Sequence, residues 1–287
     1  MNKLLNTLIL LILIFTQTSC ERVTFDKSGV ENKNGFELNF HVGNIDTRSI
    51  VDVSKVCNKI NFAVYDSIGD RVKSISQCSD YDNDFGTIKV SLPKGNYKVV
   101  TLAHSGNANA STTNMNRITF NGKVTDTFFY SNDINVNGNS DYQMTLKRCV
   151  AKILFTVEDK VPEDVKQIKF YYTGGSSTLD GVSGWGCVNS RQTEIRDVQV
   201  EAHADSSVYE LYTFPHDANS FLNITVSCLD ESGNKVYEQL FEDVQVSMCG
   251  TTSCNEKLFS GGEVSSSKGV ALKANDEWSD GGVYKYR

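Results

Sequence analysis

The stretch YQMTLKRCVAKILFTVED, residues 142–159, decides how this chain folds. It is rich in strand-forming residues and about three times as long as a typical strand of five to six. Successive side chains of a strand point to opposite faces, so residues two apart share one. Leu146 stands on one phase of that alternation, and Ile153, Phe155 and Val157 stand on the other. A single strand cannot bury both sets on one side. The phase change predicts a strand break beside Arg148 to Ala151, with one strand closing a first unit near Lys147 and the next opening a second.

Working outward, the same style fills both halves. FELNFHV (36–42) puts Phe36, Leu38, Phe40 and Val42 on one face. INFAVYD, SIGD and RVKSIS (60–76) read as two strands joined by a turn. GTIKVSL, PKGN and YKVVTLAH (86–104) read as a hairpin, with Ile88, Val90 and Leu92 sharing a face and Pro93 and Gly95 marking the turn. Asn121-Gly122 inside RITFNGKVTDTFFY is a two-residue turn signal between strand-like runs. GNANASTTNMN (106–116) is polar and unpatterned, so a surface loop is expected. The second half continues with VKQIKFYYTG, SVYELYTF, FLNITVSCLD and KVYEQLFEDVQV. Strands at about 8–12-residue spacing with polar turns point to β-sandwiches.

The start reads as a targeting segment. Lys3 precedes Leu8 to Phe15, a charge-free run of Leu, Ile and Phe. Eight residues are too few to cross a bilayer core, which needs about 20, and they suit the apolar region of a secretory signal. Small polar residues follow and lead to Cys20. The arrangement resembles a bacterial lipoprotein signal, in which the Cys becomes the lipid-bearing first residue of the mature chain. An ordinary signal peptide with a Cys near its cleavage site is the alternative. Removal of residues 1–19 from the 287 leaves 268, and takes the net charge from −7 to −8 because Lys3 is the one charge removed. An acidic chain with no Lys/Arg cluster is a poor nucleic-acid partner.

Chemistry is sparse. The four His, at 41, 104, 203 and 216, lack metal-site spacing, and no nucleophile elbow, P-loop or dinucleotide fingerprint occurs. His104 ends a strand and is expected to be solvated. DYDNDFG (80–86) alternates Asp80, Asp82 and Asp84, but an EF-hand would need Gly at Phe85 and Glu at Ser91, so a charged loop is expected in place of a Ca²⁺ site. Trp185 in SGWGC is weighed between a core position and a sugar-stacking one. No metal, no cofactor and no enzymatic activity are expected. Of eight Cys, Cys57 with Cys78 and Cys249 with Cys254 are disulfide candidates by position, and at least one of Cys149, Cys187 and Cys228 is expected to be a buried free thiol.

Several stretches in order resemble the fimbrium-anchoring lipoproteins of the Bacteroidetes fimbrillin superfamily: SLPKGNYKVVTLAH, LKRCVAKILFTVED, VPEDVKQIKFYYTG, YTFP (212–215) and EWSDGG near the end. The resemblance implies an all-β fold of two transthyretin-like sandwiches in tandem. It divides the chain into a signal (1–19), a lipidated stub (20–35), and sandwiches over 36–147 and 148–287. It also implies a lipid anchor on Cys20, palmitate included, an outer-membrane location exposed at the cell surface, and a non-catalytic role in adhesion at the base of a fimbria. Fimbrial stalk subunits are the implied partners, joined by strand exchange. If Phe36 to Val42 stays in place, the chain joins as donor, and the donor segment expected is near 263–287, with Val270, Leu272 and Ala274 alternating on one face. A glycan-binding surface lipoprotein, or a stalk or tip fimbrillin, is the alternative.

Overall fold

A computed structural model of the chain describes residues 35–46, 50–259 and 273–275. The first nine strands are β1 (Phe36–Asp46), β2 (Ile50–Val51), β3 (Lys59–Tyr65), β4 (Arg71–Cys78), β5 (Thr87–Leu92), β6 (Gly95–His104), β7 (Ile118–Thr119), β8 (Thr127–Val136) and β9 (Ser140–Arg148). Nine more follow: β10 (Ala151–Val157), β11 (Gln167–Thr173), β12 (Thr178–Leu179), β13 (Gln192–Asp197), β14 (Ser207–Thr213), β15 (Ser220–Leu229), β16 (Lys235–Val246), β17 (Thr251–Glu256) and β18 (Lys273–Asn275). Two 3-10 turns, at 53–55 and 200–203, are the helical elements among the described residues. The chain is all-β.

In the first sandwich β1 runs between β5, antiparallel, and β9, parallel, while β8, β6, β3 and β4 lie in that order beyond. β8 and β9 share only two rungs, Phe128 with Arg148 and Phe129 with Lys147. That short corner lets the sheet fold onto itself. Leu38, Phe40, Phe62, Ile88, Val99 and Leu146 meet in the core between the layers. The hairpin expected at 86–104 does not form. β5 pairs with β1, whereas both edges of β6 are taken by β3 and β8. Ile88, Val90 and Leu92 do share the buried face, but they look across the core at Val99 and Ala103. The turn at Pro93 carries the chain from one layer to the other. The turn Asp66–Asp70 does join β3 to β4 as a hairpin, with the Asp66 carboxylate accepting the N–H groups of Ile68 and Asp70.

In the second sandwich, the sheet β14-β10-β17-β18 packs on the sheet β13-β11-β15-β16. Phe155 sits fully buried between them, edge-on to Phe170 (5.5 Å) and Phe241 (5.3 Å). Ala151, Ile153, Phe155 and Val157 all face this core, as the alternation of the opening stretch requires. The strand break falls at Cys149–Val150, between β9 and β10.

A third apolar cluster joins the halves. Ala63, Tyr65, Val100 and Leu102, on the outer faces of β3 and β6, pack with Ile118, Val150, Leu179 and Phe214. Both faces of β3 are therefore covered, and all seven of its residues are buried. β7 pairs with β12 from the second half, so Asn121-Gly122 makes a turn, with φ +91° at Gly122, but no hairpin to β8. The 106–116 segment is a surface loop, as expected, but it is tied down at two points. It lies against this outer face, with Ala110 and Thr112 buried and the Tyr65 hydroxyl donating to the Thr112 carbonyl at 2.5 Å.

Candidate functional site

Two places carry the features a structural subunit can use: the outer edge of the second sandwich, and the link between the halves.

At the edge, β10 holds β17 in parallel register, Lys152 opposite Thr251 through Val157 opposite Glu256. β17 turns Thr252 and Cys254 inward and offers its far side to β18, whose Lys273, Ala274 and Asn275 pair antiparallel with Ser253, Thr252 and Thr251. Ala274 thus pairs with its own chain. Val270 and Leu272 lie outside the described residues, as does Cys20. Asp159 fixes the exit from β17: its two carboxylate oxygens accept the N–H groups of Leu258 (3.0 Å) and Phe259 (2.7 Å). Burial raises the Glu256 carboxyl above the usual range, and neighbouring Glu158 adds to it. Burial likewise pushes the Cys254 thiol to about 12.

At the link, Arg148 is 5 % exposed and makes a bidentate pair with Asp126, at 2.7 and 2.8 Å. Its guanidinium also lies 4.6 Å from the centre of the Phe128 ring. Cys149 follows, buried, with its thiol donating to the Thr127 carbonyl. The pairing could not be read from the sequence, since 22 residues separate the partners; the signal available was a cationic residue inside an alternating apolar run.

The disulfides expected between Cys57 and Cys78 and between Cys249 and Cys254 are not made; Cys57, Cys78 and Cys254 are free thiols. Cys57 belongs to the first core, whereas Cys78 stands opposite Lys59 on the other face of β3, with Lys59 Nζ 3.8 Å from its sulfur. Cys254 points into the second core from an extended strand that carries it away from Cys249 at about 3.3 Å per residue. Cys149 and Cys228 are the buried free thiols anticipated.

Nothing at these places assembles a catalytic group. His104 is 1 % exposed, not solvated as its strand-end position suggested. The Gly106 N–H donates to Nδ1, which leaves Nε2 to donate to Asn61 (2.9 Å). Burial and then the Lys59 charge lower its pKa to about 4, so it is a neutral structural imidazole. The Asp82 carboxylate accepts the Cys78 N–H. Among the described residues no cluster of His, Cys, Asp or Glu could hold a metal. Trp185 is half-buried and belongs to none of the three cores.

A sequence model described as fimbrillin-A associated anchor proteins Mfa1 and Mfa2 matches residues 30–257, well over half of the chain. The chain belongs to this anchor family. Among proteins with curated descriptions, none matches it in sequence. Solved structures share the fold of this Mfa2-family chain at low identity. A candidate polysaccharide-binding protein of Bacteroides thetaiotaomicron is 10% identical, covers 71% of this chain and 79% of its own, and gives a TM-score of 0.50. A candidate adhesin of Bacteroides ovatus is 12% identical, covers 78% and 87%, and also gives 0.50. The fimbrial anchor protein Mfa2 of Porphyromonas gingivalis is 9% identical, covers 77% and 90%, and gives 0.46. Membership places this chain among structural proteins of fimbriae at the cell envelope.

Proposed function

We propose that this chain is a non-catalytic outer-membrane lipoprotein that anchors and terminates a surface fimbria assembled by strand exchange. The family match over residues 30–257 carries the reading. Lipid on Cys20 supplies the membrane attachment, since each buried methylene contributes about 0.8 kcal/mol and several acyl chains together hold stably. Residues 20–35 form the stub, 36–147 the first sandwich and 148–287 the second.

Two structural features support the assembly role. β1 is paired on both edges, with β5 and β9, and its Leu38 and Phe40 are buried in the core. A first strand so placed leaves no groove beside it for a neighbour's strand. β18, by contrast, is three residues long and hangs on one edge of β17. A short edge strand is the easiest to exchange, because few backbone hydrogen bonds hold it and the acceptor sheet replaces each of them. The segment around Val270, Leu272 and Ala274 is the one lent to a stalk subunit.

The test uses two variants expressed in cells that make fimbriae. Cys20→Ala releases the protein into the soluble fraction; continued membrane partition with palmitate incorporation overturns the anchor. Deletion of 263–287 leaves a folded, lipidated protein whose fimbriae are shed into the medium. Fimbriae retained normally on the deletion strain rule out donation. A deletion protein that fails to fold assigns the segment to its own sandwich.

A further inference from the structure

One end of the first sandwich gathers three turns around the point where residues 20–35 lead into the fold. β1 starts at Phe36, opposite Leu92 on β5, and its Leu38 stands opposite Ser140 at the start of β9. The turn at Pro93–Lys94 and the turn Asn137–Asn139 therefore flank the chain's entry, and the Glu37 N–H donates to the Asn139 side-chain oxygen at 3.0 Å. Gly95 opens β6 opposite Val136, and Lys98 stands opposite Tyr65, so the Asp66–Asp70 turn lies at the same end. β9 runs from this end to the link at Arg148. At the apex of Asp66–Asp70 stands Ile68, 83% exposed, more than any other large apolar side chain among the described residues. Such positions usually hold Gly, Asn, Asp, Ser or Pro. The turn holds Ile68 out firmly: the Asp66 N–H donates to the Asp70 carbonyl at 2.9 Å, the Asp66 carboxylate accepts the N–H groups of Ile68 and Asp70, and Gly69 supplies a φ of +89°. Beside the turn a groove of about 380 Å³ is lined by Ser67, Asn96, Lys98, Asp133 and Asn135. Its charges neutralise one another, Lys98 with Asp133 at 2.7 Å, and Asn135 donates to Asn96 at 2.5 Å. Exposed Lys94 on the next turn balances exposed Asp70.

We propose that this end seats on the membrane leaflet that carries the Cys20 lipid, with Ile68 entering the boundary between headgroups and acyl chains. The proposal rests on the reading of Cys20 as lipidated. Fourteen residues separate Cys20 from Gly35, about 50 Å when fully extended at about 3.3–3.6 Å each. A lipid at one end of that tether keeps the turn at high effective concentration over the bilayer. A contact too weak to recruit a free protein then suffices to orient a tethered one. Ile68 gains by leaving water, as any aliphatic side chain does. The turn around it bonds its own backbone groups, with the Gly69 N–H donating to the Asp66 carbonyl at 3.1 Å, so the approach strips water from few unpaired ones. The amides of Asn96 and Asn135 and the Lys98–Asp133 pair meet the polar headgroups. β9 then leads away from the bilayer to the link and the second sandwich.

The test uses the lipidated mature protein, purified from membranes and reconstituted into phosphatidylcholine vesicles with brominated acyl chains, which quench indole emission on contact. Ile68→Trp and Val200→Trp are compared with the parent. Val200 is the control: it is 81% exposed, on the connection between β13 and β14 in the second sandwich. Both substitutions fall on exposed side chains and leave the cores intact. Flotation of the vesicles reads the lipid anchor separately from the seat. All three proteins should float, and the brominated lipid should quench the emission that Ile68→Trp adds to the parent's while leaving that added by Val200→Trp unchanged. Proteins that float without quenching at position 68, or with equal quenching at position 200, overturn the seat and leave the anchor standing. Proteins that do not float overturn the anchor, and the seat with it.

Discussion

Replacing Asp126 by Asn tests whether the link between the halves is held by charge. Arg148 is almost wholly enclosed, and the Asp126 side chain is 23% exposed. In the parent two charge-assisted hydrogen bonds, at 2.7 and 2.8 Å, offset the cost of burying the guanidinium. The amide that replaces the carboxylate would retain one neutral acceptor and leave the cation without a counter-charge from this position. Removing one partner of a buried pair costs about 3–5 kcal/mol. Water reaches Asp126 from one side, and the Phe128 ring still faces the guanidinium, so the lower end, about 3 kcal/mol, is expected. For a protein of this size that corresponds to a fall of about 6–12 °C in melting temperature, measured by circular dichroism at low salt and pH 7. Arg148→Met, which fills the site without charge, should be milder, and the double variant should be more stable than the sum of the two losses. A melting temperature for Asp126→Asn within a degree of the parent, or strictly additive losses, would refute the reasoning.

Two further outcomes follow from the cores. Phe155→Ala removes a fully buried ring that touches Phe170 and Phe241, and should cost about 3–5 kcal/mol in chemical denaturation; an unchanged midpoint would show that the site closes without loss. His104 has a folded pKa of about 4 against 6.5 unfolded, so the unfolded chain binds the extra proton between these values. Its contribution is complete above about pH 6.5 and is lost as pH falls toward 4, on the order of 3 kcal/mol in all. His104→Gln should therefore flatten the fall in stability between pH 7 and 4.5, and an equal slope in both proteins would count against a neutral buried imidazole.

The all-β character, the inward residues of most strands and the break beside Cys149 were legible in the residues alone. Period-two alternation is a local property, and Leu146 and Phe155 cannot share a face of one strand whatever surrounds them. The β3–β4 hairpin was legible too, where the turn Asp66–Asp70 is closed by the Asp66 carboxylate. What alternation leaves open is the neighbour of each strand. β5 and β6 look like a hairpin from their turn, yet they lie in opposite layers, because β1 and β9 complete one layer and β3 and β8 occupy both edges of β6. His104, Ala110 and Thr112 are buried because the chain after β6 folds back over it, with Gly106, Ala110 and Phe120 closing on His104 and Asn61. The Arg148–Asp126 pair and the hydrogen bond from the Cys249 thiol to the Arg148 carbonyl are of the same kind: contacts across 22 and 101 residues, set by which layer each strand joins once the sandwiches close. Those choices are made by burial of whole faces, a long-range free energy that no window of residues contains.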